Sequence, residues 1–474
     1  MPSPLLSLVP VLVLVVLLFF TIRIFGSDAL AGSSQIVLLI ATAVCVLIAM
    51  SYGGVSWKTI ESAIIRNISG VTSALIILLL IGALSGSWMI SGIIPTLIYY
   101  GVKIIHPDYF LVTTCIICSI VSVITGSSWT TVATIGIALF GIGRVQGFHD
   151  GWIAGAIISG AYFGDKISPL SDTTVLASSI TDTPLFTHIR YMMITTIPSI
   201  TIALLIFLFA GFLNQGGSLE EIGTFTAAIS RSFHVSGWLL IVPLMMCLLI
   251  IRKTPPIITL FLAVIAAGIC AIIFQPELLY QIAGSATHNA SAVFKGLIIT
   301  LSQSTQVETG NTFLNELVTT RGMAGMLNTI WLIICAMCFG GAMTAARMLE
   351  SITTMFLRFI QRTVSLVAST VFSTLFLNIC TADQYLTIIL TGDMFKEIYK
   401  QRGYESRLLS RTLEDSGTVT SPLIPWNTCG MTQATVLGVS TLVYFPYCFF
   451  NLISPLMSMI VAATGYKIKH HETN

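Results

Sequence analysis

The chain has 474 residues, 55% of them hydrophobic and only 9% charged, with a formal net charge of +2. A soluble domain carries about 25% charged residues, so the composition excludes an ordinary soluble enzyme, and the near-neutral charge excludes a nucleic-acid binder. Repeated apolar runs near twenty residues, at a mean hydropathy of +0.92, read as a polytopic membrane protein.

In chain order, apolar spans are predicted at 4–25, 35–52, 71–90, 188–213, 238–251, 255–274, 326–345 and 436–464. The first run, Pro4 to Ile22, has the look of a signal peptide, with Ala29-Leu30-Ala31 as a cleavage site. It lacks a basic start and exceeds the usual ~7–15 apolar residues, so it reads as a transmembrane helix. Two further crossings, near 150–180 and 412–434, are interrupted by polar residues. Two apolar segments, 109–143 and 363–395, are interrupted at their centres by Thr125–Thr131 (TGSSWTT) and Cys380–Tyr385 (CTADQY).

The interruption at Gly164–Thr174 organises the rest. A helical apolar run stops there, and Asp165, Lys166, Ser168, Pro169, Ser171, Asp172, Thr173 and Thr174 follow within ten residues. Pro169 cannot continue a helix. Backbone opened at membrane depth is tolerated only where it is buried in protein or lines a wet cavity. Carboxylates at that depth are costly and mark functional sites by default.

The second half repeats the first. At an offset of 255, Glu61 pairs with Glu316, Arg66 with Arg321, Gly70 with Gly325, Gly86 with Gly341, and Asp172-Thr173 with Asn427-Thr428. Ser168-Pro169-Leu170 recurs as Ser421-Pro422-Leu423. The chain therefore divides into N-terminal transmembrane helices (1–56), a first repeat (57–213), connecting transmembrane helices (214–311), and a second repeat with the C-terminal tail (312–474).

Charge sets the orientation. Lys396, Lys400, Arg402, Arg407 and Arg411 follow the second interrupted segment, whereas its counterpart is followed only by Arg144 beside Asp150. The positive-inside rule puts these equivalent loops on opposite faces, which is the signature of inverted repeats. Arg358 and Arg362 precede segment 363–395 and the basic run follows it, so both its ends read as cytoplasmic. It is expected to enter and return as a re-entrant hairpin, and 109–143 to do the same from outside. The predicted fold is all-α: inverted repeats, broken transmembrane helices, ten crossings and two re-entrant hairpins.

Two tips and two breaks then converge. Their inventory is Ser127, Ser128, Asp165, Lys166, Ser168, Ser171, Asp172, Thr173, Asp383, Ser421, Asn427 and Thr428, with Glu414 and Asp415 opening the second broken helix. Carboxylates, hydroxyls, amide oxygens and freed carbonyls suit a small hard cation such as sodium, not a transition metal. Asp165 and Asp172, astride Pro169, are the strongest candidates for a site shared by cation and proton, which would give exchange by competition. Each has a plainer reading. Asp165 and Lys166 suggest a structural ion pair, Glu414 and Asp415 helix N-terminal acids, and Ser168 and Ser421 partners for freed backbone. Arg347 and Glu350 read as an i, i+3 pair, and His149 and His188 as surface histidines. Cys115-x-x-Cys118 and Cys335-x-x-Cys338 lack flanking histidines and read as helix-packing residues.

The eleven-residue run GDKISPLSDTT (Gly164–Thr174), followed by ITDTP (Ile180–Pro184), resembles the motif of the NhaC-type sodium/proton antiporter family. That resemblance implies a wider superfamily of ion transporters with inverted repeats and re-entrant hairpins, whose sodium sites use Ser-Asn-Thr at tips and breaks. Ser171-Asp172-Thr173 resembles this triplet with Asp for Asn, adding a charge suited to proton coupling. Trp426-Asn427-Thr428 keeps only its last two residues. The expected function is sodium/proton exchange by alternating access in the inner membrane, without a cofactor. A malate/lactate-type organic-acid exchanger or an amino-acid exchanger on the same scaffold is the alternative, with Lys166, Asn427 and helix N-termini as the carboxylate clamp. A membrane-embedded enzyme is not expected. Sodium ions, protons and membrane lipid are the expected partners, with a small organic acid and a second copy of the chain as further candidates.

Overall fold

The computed structural model describes residues 2–25, 32–213, 219–252, 254–285, 287–357 and 362–468. Ala29-Leu30-Ala31 and Arg358 lie outside these residues. The described chain is helical apart from one isolated bridge, Thr305 to Thr320. Nine of its helices are long and apolar enough to cross a membrane, and eleven if two bent pairs count as spans. Three of the nine, Pro107–Thr125, Ser128–Val145 and Thr363–Thr381, are arms of helical hairpins, leaving six continuous crossings. The two bent pairs and the two polar-broken helices complete ten, in agreement with the predicted architecture.

Both interrupted segments turn back on themselves. At the base of the first, the Gln146 side-chain amide donates to the Ile105 carbonyl at 2.7 Å, closing the segment's two ends together. At the base of the second, Thr363 Oγ1 and Tyr404 Oη are 2.6 Å apart, and Thr370 Oγ1 and Tyr399 Oη 3.0 Å apart further in. A re-entrant helix pair, not a single straight crossing, follows in each case.

The long helix Leu185–Leu213 gives the relative direction of the hairpins. Its 29 residues span about 43 Å at 1.5 Å per residue. Near its start, His188 Nδ1 lies 2.8 Å from Ser410 Oγ, and the adjacent Thr183 hydroxyl 2.9 Å from Ser406, beside the base of the second hairpin. At its far end Phe212 packs edge-on against Tyr109, 5.5 Å between ring centres, at the base of the first. The hairpins thus enter from opposite ends of one crossing helix, as inverted repeats require. The repeat also shows in the paired crossings Thr72–Ile90 and Leu327–Ala345, each 19 residues long.

Small residues let the elements approach. Along the first broken helix, Gly160 and Gly164 abut the backbone at Cys115 and Ser119 of the first hairpin, and Ser122 donates to the Ala161 carbonyl at 2.5 Å. Cys115 and Cys118 are buried in this contact, as packing residues.

The last span departs from expectation. The predicted crossing 436–464 is not one helix: Thr428–Leu437 ends at Gly438, and Thr441–Tyr447 meets Phe449–Thr464 at a 56° bend. Pro446 lacks the amide that would carry the helix through this point. The Tyr444 hydroxyl at the bend donates to the Pro422 carbonyl at 2.8 Å and lies 3.1 Å from that of Gly430, tying the kink to the second break.

Candidate functional site

The two hairpin tips share one construction. Helix Phe110–Thr125 ends at Gly126, in the left-handed region at φ 66°. Ser127 is then extended, and its hydroxyl accepts the Thr130 amide at 3.2 Å to cap the next helix. Helix Thr363–Thr381 ends at Ala382, φ 56°; Asp383 is extended and accepts the Tyr385 and Leu386 amides at 2.9 and 3.0 Å. Threonine pairs brace both turns: Thr125 with Thr131 at 3.2 Å and Thr381 with Thr387 at 2.9 Å. Ordinarily a helix end leaves its last carbonyls and the next helix's first amides unpaired. Each tip therefore concentrates polar backbone at the point of greatest depth.

The breaks meet these tips. In the first, helix Asp150–Ile167 stops, Ser168 donates to the Val123 carbonyl at 2.8 Å, and the Ser171 hydroxyl caps helix Asp172–Ile180. Asp165 is buried, and its Oδ2 accepts the Ser128 amide at 2.9 Å, joining the first break to the first tip. In the second break, Asn427 caps helix Thr428–Leu437, its side chain also donating to Asn378. The Thr428 amide donates to the Ala382 carbonyl at 2.8 Å, and its hydroxyl to Asp383 Oδ2 at 3.3 Å. These caps shift the register of the repeat: Ser171 and Asn427 occupy the same structural position, so Asp172 corresponds to Thr428 and not to Asn427.

Tips and breaks enclose a cavity of about 450 Å³. Asp165, Asp172, Asp383, Ser127, Ser128, Ser171, Thr173 and Thr428 all line it. Thr125, Thr130, Gln384 and Tyr385 line it too, and the sequence reading passed over them, although they sit in the same two interruptions. No described lining residue is Lys, Arg or His. The three carboxylates sit at separate points: among the described residues no three His, Cys, Asp or Glu side chains converge as a transition-metal site requires. On one side the lining is Gly70, Val71, Ser73 and Ala74 with Thr254–Pro256, next in sequence to Arg66 and Arg252.

Other candidates lie elsewhere. Ser168 and Ser421 spend their hydroxyls on backbone carbonyls, the latter on Thr418 at 2.7 Å, which is the plainer reading of both. Asn427 is used in capping and in bonds to Asn378, and is not in the cavity lining. Lys166 turns away from the cavity. It pairs not with Asp165 but with Asp415, fully buried, and donates to Ser454 at 3.1 Å. Glu414 and Asp415 are likewise fully buried, in a widened turn, Glu414–Thr418, rather than at a helix N-terminus. Arg411, expected in the cytoplasmic basic run, is completely buried, and His188 is an interior residue, not a surface one. Arg347 and Glu350 form the expected exposed pair at 2.7 Å. The signal for the buried cluster was present: Arg411 and Asp415 stand four apart on one helix face.

Residues 160–466 match the model of the Na+/H+ antiporter family. The Na(+)/H(+) antiporter NhaC of Bacillus subtilis (strain 168) is 37% identical over 410 residues, 86% of this chain and 87% of that one. Its namesake from Alkalihalophilus pseudofirmus is 36% identical over 425 residues, 89% of each chain. The Malate-2H(+)/Na(+)-lactate antiporter of B. subtilis is 35% identical over 442 residues, 93% of this chain and 91% of that one. The chain belongs to the Na+/H+ antiporter family.

Proposed function

We propose that this chain is a multi-pass cell-membrane carrier that exchanges sodium for protons by alternating access, with sodium held in the cavity between the hairpin tips. The observation that carries the reading is the lining. Three carboxylates and several hydroxyls face the space, and no described lining residue is a base. Such a surface attracts a small cation and repels a free carboxylate. Asp165 is the principal cation ligand in this reading, because it is a carboxylate carried on a helix break and bonded to a hairpin tip. The NhaC relatives support the same exchange.

Access is the second part. The cavity reaches helix ends beside Arg66 and Arg252, the face that basic charge marks as cytoplasmic. A second cavity of about 290 Å³ is lined by Arg144, Asp150, Glu316 and Gly438 at the opposite end. Ile77 lines the first and Ile81 the second, four residues apart, about 6 Å along a helix. A barrier that thin supports a carrier that opens to one side at a time.

The organic-acid alternative is favoured by the malate/lactate relative. Against it, Lys166, the expected cationic clamp, is committed to Asp415 away from the cavity. Purified protein in liposomes with a trapped pH dye separates the two. Sodium alone should drive proton movement; proton movement that needs added malate or lactate would replace the sodium/proton reading with the organic-acid one.

A further inference from the structure

Behind the first broken helix lies a cluster of ionisable side chains that the cation cavity does not use. Lys166, Arg411, Glu414 and Asp415 are all fully buried. Asp415 is held through one oxygen: its Oδ1 takes Lys166, the Ser454 hydroxyl at 3.0 Å and the Thr195 hydroxyl at 3.1 Å, while Arg411 Nε stands 3.9 Å from Oδ2, which has no hydrogen bond among the described residues. Its neighbour Glu414 is the opposite case. Neither Glu414 oxygen has a hydrogen-bond partner among the described residues. Two adjacent carboxylates in such different surroundings divide their roles: one is held as a fixed charge, the other is free to trade its charge.

We propose that Glu414 is the proton carrier of the exchange, separate from the cation site at Asp165; this rests on the sodium/proton reading above. The two sites are joined by one ion pair. Asp165 faces the cavity and its next residue, Lys166, holds Asp415; Asp415 in turn follows Glu414. Within the set linked through the ion pair, and leaving aside the cavity carboxylates Asp172 and Asp383, the cations Lys166 and Arg411 balance the anions Asp165 and Asp415 while Glu414 is protonated. A sodium ion at Asp165 adds a positive charge where unbalanced charge costs several kcal/mol. Loss of the Glu414 proton restores balance: the O–H bond breaks, the electron pair stays on the carboxylate, and the proton passes to bulk water. Sodium entry and proton release are thereby linked without sharing a ligand.

Asp172 is exposed to the cavity, and Asp383 caps a helix N-terminus, accepting the Tyr385 and Leu386 amides and the Thr428 hydroxyl. On helix Leu185–Leu213, His188 bonds Ser410 and Tyr191 stacks on Arg411, 4.9 Å from the ring centre. Tyr399 of the second hairpin bonds Thr370, and Tyr162 of the first broken helix accepts from Gln433. The final helix contributes Ser454, which does not titrate in this range.

The test uses the full chain in liposomes and two readouts: isotopic sodium–sodium exchange at equal pH, and sodium-driven proton movement. Glu414→Gln, which fixes the neutral form, should lose proton movement, and its sodium–sodium exchange should need more sodium than wild type and no longer change with pH. Asp165→Asn should lose both. Retained proton movement in Glu414→Gln would overturn the proposal and return the proton to Asp165. Sodium–sodium exchange in Glu414→Gln with the sodium affinity and pH dependence of wild type would also overturn it, since Glu414 would then not be linked to the cation site. A wild type that moves sodium but no protons would instead sink the sodium/proton reading itself.

Discussion

Ser127 and Asp383, 256 residues apart, cap the two helices that leave the hairpin tips, and each accepts on its backbone carbonyl a threonine hydroxyl from four residues on. Those contacts, Thr131 at 2.9 Å and Thr387 at 2.8 Å, are the same bond made twice. One tip carries a neutral cap and the other a charged one. The inverted repeats therefore offer the cavity two chemically unequal faces, with Asp165 supplying the missing charge at the neutral tip.

The tips also differ in backbone tolerance. A methyl added at Gly126 would sit 2.7 Å from the carbonyl carbon of Leu170, in a left-handed conformation that costs an L-residue about 1–2 kcal/mol. Ala382 already occupies that conformation. Gly126→Ala is expected to lower thermal stability in detergent and impair exchange. Ala382→Gly should stay within about 1 kcal/mol of wild type. Equal effects of the two changes would mean that the first tip does not pack against the first break.

Topology makes a second prediction. In a cysteine-free background, single cysteines at Arg144 and Arg402 should react with an impermeant thiol reagent from opposite faces. Cysteines at Ser365 and Lys396, at the two arms of the second hairpin, should react from the same face. Labelling of Arg144 and Arg402 from one face would contradict the inverted arrangement.

Much of this is legible in the sequence, for a physical reason. A proline and several charges inside an apolar run have few solutions at membrane depth, so Pro169 and Asp165 announce a break and a site together. The tips are legible as polar interruptions in segments too long for one crossing. The register of the repeat is not, because Ser and Asn cap helices equally well and residue identity does not separate Ser171 from Asp172 as the partner of Asn427. Arg411 misleads because it ends a run of cations that otherwise reads as a solvated loop. The bend at Pro446 hides inside a span that is apolar on both sides.

The buried pair gives a third prediction. Removing one partner of a buried ion pair costs about 3–5 kcal/mol, since the other charge is left unpaired. Lys166→Met should therefore lower the thermal midpoint more than the double change Lys166→Met with Asp415→Leu. A single variant as stable as wild type would show that the pair does not hold the two broken helices together.

The claim at the centre is that sodium sits between the tips with Asp165 as its main ligand. Isotopic sodium binding to purified protein, without any gradient, tests it most directly. Wild type should bind sodium saturably, Asp165→Asn should lose most of that binding at matched protein and stability, and Glu414→Gln should bind more weakly but still saturably, without the pH dependence of wild type. Undiminished, saturable sodium binding by Asp165→Asn would contradict the account.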